Sequence, residues 1–282
     1  MCIQTWCQVY LLAQTTLECV ASKKPIGTVT RGTTNPNRLR RVDRFIASLP
    51  IVKTHGCTVV DLGYGASPIT AVELHERLSK LNASIRVVGV EIDRERVERG
   101  LVVAKPGLDF LLGGFETPLP SGVAGADVIR AFNVLRQYDE SEVAAAWAQM
   151  QARLSENGLL VEGTCDEIGR LSSWVTLDRL QPQTFTISLH LPSLETPSQV
   201  AERLPKVLIH RNIAGEAVHE YLTALDRAWA NHAPLSTFGA VQRWVATCES
   251  IAAAGWPVRR NLKRWKLGEL TVDWSAVAPK NS

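Results

Sequence analysis

Residues 59–74, VVDLGYGASPITAVEL, constrain this chain more than any other stretch. An apolar run closes on an acid, passes through Gly63-x-Gly65 and opens into an amphipathic helical pattern. A strand that turns on glycines into a helix N-terminus lets bare backbone lie against a nucleotide-type ligand. A side chain at either glycine would hold such a ligand off the main chain. The pattern predicts Ser67 as the helix cap and Pro68 within the first turn. Two ligand classes use this geometry. The dinucleotide fingerprint needs a third glycine where this chain has Pro68, whereas Asp61 stands two residues ahead of the first glycine.

The order acid–x–Gly–x–Gly resembles the first motif of the class I S-adenosylmethionine (SAM)-dependent methyltransferases. That resemblance implies Asp61 near the cofactor's methionine ammonium, directly or through water, with Gly63 and Gly65 under its amino-acid and ribose portion. The next segment, RVVGVEIDRERVER over residues 86–99, is an apolar run ending in Glu91, with Asp93 as the cap of a charged helix. The resemblance gives Glu91 both ribose hydroxyls, a task suited to the two acceptor oxygens of a carboxylate. Leu108–Leu112 followed by Gly113-Gly114-Phe115-Glu116 is similar to the third strand and the loop bordering the adenine. The family commonly has an Asp where this chain has Gly114, which shifts adenine recognition to backbone groups around Phe115. Phe115 also reads as a core aromatic, and both roles stay open.

The run ADVIRAFNVLRQY, residues 126–138, resembles the family's fourth strand with its NVL exit. Asn133 then sits at the carboxyl edge of the sheet, as a cofactor contact or as a side chain satisfying loop backbone. A helix over Glu140–Leu154 leads to Leu154-Ser155-Glu156-Asn157-Gly158, a degenerate form of the family's turn into the fifth strand, Leu159–Val161. The joint order of four segments sets the expected fold: α/β, a Rossmann-like seven-stranded methyltransferase sheet with a C-terminal, mainly helical cap.

The expected organisation has three parts: residues 1–30 as a poorly ordered or loosely docked segment, 31–191 as the SAM-binding domain with an N-terminal helix, and 192–282 as the cap. That first helix carries Arg38, Arg40, Arg41 and Arg44 beside an apolar stripe of Leu39, Val42, Phe45 and Ile46. Ser173–Asp178 and Thr184–Leu191 read as a hairpin, the antiparallel pair expected to close the sheet. The cap shows two helical patterns, around Ala217–Trp229 and Val241–Ala252, and a strand at Glu269–Trp274. It is expected on or beside the sheet's carboxyl edge, shaping a substrate pocket.

A chain of 282 residues can bury a full core, and its net charge of +3 is too mild to argue for nucleic acid by itself. No apolar run approaches the roughly 20 residues of a membrane span. The six cysteines (2, 7, 19, 57, 165, 248) form no CxxC and no zinc spacing, which suits reduced thiols in a cytoplasmic protein and predicts no metal. The basic run 259–266, RRNLKRWK, reads equally as a solvated loop or as a phosphate grip with a stacking aromatic.

Methyl transfer from a sulfonium is an in-line displacement, so positioning and exclusion of water dominate. The acceptor-side candidates are Tyr138, Glu162, Asp166, Glu167, His210 and Arg211, with His210 and Arg211 the first to mutate. No Pro-Pro tetrad follows the fourth strand, which disfavours amino-group methylation of that style. Thr164-Cys165 lacks the companion Asp-x-Pro-Cys of the RNA cytosine-5 enzymes. The resulting expectation is a SAM-dependent methyltransferase acting on an unidentified acceptor, a small molecule ahead of nucleic acid. The alternatives are an NAD(P)-dependent oxidoreductase and an RNA-directed methyltransferase or nucleic-acid-binding protein.

Overall fold

A computed structural model describes residues 24–280 apart from Arg31 and Thr33. Of the segment expected to be loosely held, residues 1–23 lie outside the described residues. The described remainder begins as a strap over the sheet edge and then enters helix α1, Arg40–Ile46. Strand β1 (Thr58–Leu62) is wholly buried and turns through Gly63 and Gly65 into α2 (Ile69–Ser79). Strand β2 (Arg86–Glu91) follows, then α3 (Arg94–Leu101), β3 (Leu108–Leu112), β4 (Ala126–Phe132) and α4 (Glu140–Gln151). Strands β5 (Leu154–Cys165), β6 (Leu171–Leu177) and β7 (Pro182–Leu189) are consecutive. Helices α5 (Lys206–Ile209), α6 (Ala217–Asn231), α7 (Ala240–Ala253) and α8 (Leu262–Trp265) precede β8 (Glu269–Asp273).

The sheet has eight strands in the order β3-β2-β1-β4-β5-β6-β7-β8. The expected count of seven is therefore corrected, because Glu269–Asp273 pairs with β7 and adds a strand to the same sheet. Strands β1 to β5 are parallel, and β5 to β8 are antiparallel neighbours joined edge to edge. The expected turn before the fifth strand survives as a bulge: Ala126 pairs with Leu154 but Val128 pairs with Leu159. Ser67 does not cap α2. The helix begins at Ile69 with Pro68 at its N-cap and no side-chain cap bond. Asp93 does cap α3, accepting from the Arg96 N–H at 3.0 Å.

Strand alternation sends side chains to two cores. On one face Val59, Val87, Leu108 and Val128 meet Leu39 at the N-cap of α1, Val42 and Ile46 of α1, and Ala71, Leu74 and Leu78 of α2. On the other face Val60, Val88, Ile129 and Leu160 meet Val143, Trp147 and Met150 of α4. That second core continues under Phe185 and Ile187 to Tyr221 and Leu225 of α6 and Trp244 of α7. The C-terminal helices thus lie against a sheet face, with Tyr221 5.3 Å from Trp256 and 6.3 Å from Phe185 between ring centres.

Candidate functional site

The order of a doubly wound sheet reverses between β1 and β4, and ligands bind outside the carboxyl ends of the strands at such a point. The glycine turn after β1 sits there. Gly63 and Gly65 have φ of 69° and 86°, conformations that favour glycine. The turn is tied down by the Gly63 N–H, which donates to the Val90 carbonyl at 2.8 Å.

Glu91, at the end of β2, is 1% exposed and lines a cavity beside Gly63, Gly114, Phe115 and Tyr138. One carboxylate oxygen accepts from the Gly65 N–H at 2.8 Å and the other from the Ile92 N–H at 2.9 Å. Two oxygens carry about four acceptor positions, and the Asp93 N–H takes a third at 3.4 Å, so the group keeps room for a ligand hydroxyl. Arg96 stands 3.7 Å away and balances its charge.

The loop after β3 gives Phe115 a buried ring and a backbone face on the cleft. Its ring is buried and packs 5.2 Å from Tyr138, while its N–H points into the cleft. Glu116, which the sequence reading passed over, turns back on this loop: one oxygen accepts from the Gly114 N–H at 2.8 Å and the other faces the cleft. A carboxylate two residues after the expected Asp position was the available signal.

Asp61 lines the second cleft cavity beside Gly63 and Gly65 and is also tied into the fold. It shares strand parity with Val59, so its side chain enters the layer between the sheet and α1 and α2. Its register partner on β4 is Arg130. The Arg130 guanidinium pairs with Asp61 at 2.7 Å and also with Asp43 of α1, and the Thr70 hydroxyl donates to Asp61 at 2.8 Å. Arg77 joins the network through Asp43 and, at 3.2 Å, Glu73. Burial alone would lower the Arg130 pKa, but Asp61 and Asp43 more than reverse this and hold it above its ordinary value. Burial pushes Asp43 up to about 6 against the pull of Arg130 and Arg77. Both Asp61 oxygens are thus engaged within the fold. The sequence carried a signal for this: an arginine inside a buried apolar strand requires a partner.

Asn133 adopts φ 61° after β4. Its side-chain carbonyl accepts from the Cys165 N–H at 3.0 Å and its amide donates to the Cys165 sulfur at 3.3 Å. Both polar groups bond to the end of β5, and the residue also lines the second cleft cavity. Tyr138 lines the first cavity. His210 and Arg211 line neither cleft cavity. His210 is exposed with Lys206 3.3 Å away, and Arg211 bridges Glu140 at 2.7 Å and Glu216 at 3.3 Å. Glu162 also faces away from the cleft, lodged under α4 near the Trp147 indole, where burial pushes its pKa up to about 8.

The donor chemistry therefore fits a nucleotide-type cofactor, and the room does not. The cleft holds cavities of about 20 and 40 Å³. That is space for water, against about 300–1,000 Å³ for a ligand site. The remaining space is filled by the chain itself, through Ile26, Gly27, Thr28, Thr30, Gly32 and Thr34. Among the described residues no group of three His, Cys, Asp or Glu is arranged for a metal, and no helix is long and apolar enough to cross a membrane.

No family model matches the chain, and no curated protein does. Solved structures do. A Leishmania major protein described as a SAM-dependent methyltransferase is 22% identical, with TM-score 0.35 over 46% of this chain and 54% of its own. Human N-acetylserotonin methyltransferase, solved with SAM, is 19% identical, with TM-score 0.35 over 47% of this chain and 36% of its own. An O-methyltransferase family 2 protein from Planctomyces limnophilus, solved with apigenin, is 20% identical, with TM-score 0.35 over 45% of this chain and 41% of its own. The chain spans little more than half, or less, of each, so its function has to be argued from its own site.

Proposed function

We propose that this chain is a class I SAM-dependent methyltransferase whose acceptor is a small molecule. One observation carries the reading: three ligand-facing elements converge at the switch point of a β3-β2-β1-β4 sheet. They are the glycine turn after β1, the Glu91 carboxylate after β2, and the Phe115 N–H with Glu116 after β3. This set offers bare backbone, a diol acceptor and a base-edge reader in the order a nucleoside with an attached amino acid requires. Gly63, Gly65, Gly114 and Glu91 are its contact positions. Asp61 and Asn133 join them from the cavity beside the turn, held in place by Arg130 and by the end of β5.

A small acceptor suits the surface. The basic run 259–266, the best nucleic-acid feature of the sequence, is partly neutralised by Asp273 on Arg259 and Glu269 on Arg264. In this reading residues 31–191 carry the cofactor and 192–282 serve the acceptor, in a cytoplasmic enzyme. Titration of the purified chain with SAM, S-adenosylhomocysteine and NAD by calorimetry tests it. Binding of the two adenosyl ligands and not of NAD is expected; binding of NAD alone, or of none in a chain whose cleft is open, would overturn it.

A further inference from the structure

We propose that the described residues 26–30, 32 and 34 are a tethered competitor for the nucleotide half of the cleft, with the Ile26 backbone standing where the edge of a 6-aminopurine binds. The inference rests on the cofactor reading above and deepens it. The Phe115 N–H donates to the Ile26 carbonyl at 2.9 Å, and the Ile26 N–H donates to Glu116 at 2.9 Å. One protein donor and one protein acceptor are thus met by the acceptor and donor of a single residue. The ring nitrogen and adjacent amino group of adenine present that same pair. Gly114 is bare because a Cβ there would strike the Ile26 carbonyl.

The strap then follows the cleft toward the glycine turn. The Thr28 N–H donates to the Tyr138 hydroxyl at 2.6 Å, Gln137 donates to the Thr28 carbonyl at 3.0 Å, and Arg96 to the Thr30 carbonyl at 2.8 Å. At the turn itself a Cβ on Gly65 would lie 2.7 Å from the Thr34 hydroxyl oxygen. The glycines that would admit a cofactor admit this segment instead.

Its anchoring is of a kind a ligand can replace. Ile26 and Val29 are 44% and 48% exposed, so the strap's large apolar side chains contribute little burial. What remains is mainly polar bonding, each bond with a modest net contribution, and a nucleotide brings partners for the same groups. Ligand affinity is then lowered by the fraction of chains whose cleft is open.

Gly27 is the handle. Its φ is 132°, and a Cβ there would lie 2.9 Å from the Tyr138 hydroxyl, so Gly27→Val expels the strap. Ile26→Pro removes the N–H given to Glu116, and Ile26→Val is the control that keeps it. In the full chain, S-adenosylhomocysteine affinity is read by calorimetry and protection of the Phe115 amide by hydrogen exchange. Gly27→Val and Ile26→Pro should bind about tenfold more tightly or better. Without ligand their Phe115 amide should exchange faster than in the wild type, and ligand should restore its protection. Equal affinity in wild type and both variants, despite a freed Phe115 amide, overturns the competitor and leaves the cofactor reading intact. So does a Phe115 amide equally protected in all of them before ligand is added. A freed amide with no binding of SAM or S-adenosylhomocysteine to any version overturns the cofactor reading itself.

Discussion

The two faces of the sheet bury acids in opposite ways. On the α1–α2 face Asp61 and Asp43 meet the fully buried Arg130, and Arg77 closes the network from α2. On the α4 face Glu162 is 1% exposed and its carboxyl has no hydrogen bond among the described residues. Parity decides which solution is open to each. Asp61 has Arg130 as its register partner, whereas Glu162 pairs in register with Ala131 and Val175. A guanidinium beside a buried carboxylate offsets the cost of its charge; a carboxyl among apolar neighbours favours keeping its proton. The charged solution lies directly beneath the glycine turn, so the face that positions the cleft is also the one pinned by ion pairs.

The sharpest way to break this comparison is to remove the shared cation. Arg130→Met leaves two buried carboxylates without it and should cost about 3–5 kcal/mol of stability in urea unfolding. The triple change of Arg130→Met with Asp43→Asn and Asp61→Asn should recover part of that loss, because no unpaired charge is left behind. A loss below about 1 kcal/mol for Arg130→Met would show that the network carries no net charge burden.

Next comes ligand affinity on the charged face. Glu91→Ala takes away the proposed diol acceptor and the brace on the Gly65 N–H, and should weaken S-adenosylhomocysteine binding by about 1–3 kcal/mol in a folded chain. Unchanged affinity by calorimetry removes Glu91 from the site and leaves the ion-pair layer with a purely structural purpose.

Glu162 sharpens the other half. Burial holds its carboxyl protonated up to about 8, while an ordinary glutamate releases its proton near 4.5. Folded chains therefore bind one more proton than unfolded ones across that interval. Stability from this group is complete below about 4.5 and is lost as pH rises through about 8. Glu162→Gln removes the slope, so its advantage over the wild type should be small at acid pH and grow to about 1–3 kcal/mol toward pH 8. Thermal unfolding across that range checks it; an advantage independent of pH would mean that Glu162 is ionised in the folded chain.

Legibility from sequence follows the same physics. The glycine turn, the acid after β2 and the cap at Asp93 are local patterns with a local cause, and each lies where its spacing put it. The eighth strand was visible as a strand, but its partner was not, since pairing with β7 depends on a return across some eighty residues that no local pattern encodes. Asp61 was legible as a motif, but its ion pair was not, because its partner Arg130 sits 69 residues away. The strap was illegible for a related reason: KPIGTVT, residues 24–30, has no period, and Ile26 is held through its backbone, which sequence does not distinguish.

The smallest effects are expected at His210 and Arg211, the residues that sequence placed first for mutation. Both lie outside the cleft cavities, on the surface beside the α4 face, and the Arg211 ion pairs are about 30% exposed on the arginine side. Exposed pairs of this kind contribute little, so Arg211→Ala should lower stability only slightly. His210→Ala should be nearly silent. Neither should change S-adenosylhomocysteine affinity, and a drop in turnover with an acceptor found by screening would assign residues 192–282 to acceptor choice. If either variant instead loses ligand binding while melting like the wild type, the α4-face region takes part in the cofactor site, and the division between a charged face that positions the cleft and a packed face that supports it does not hold.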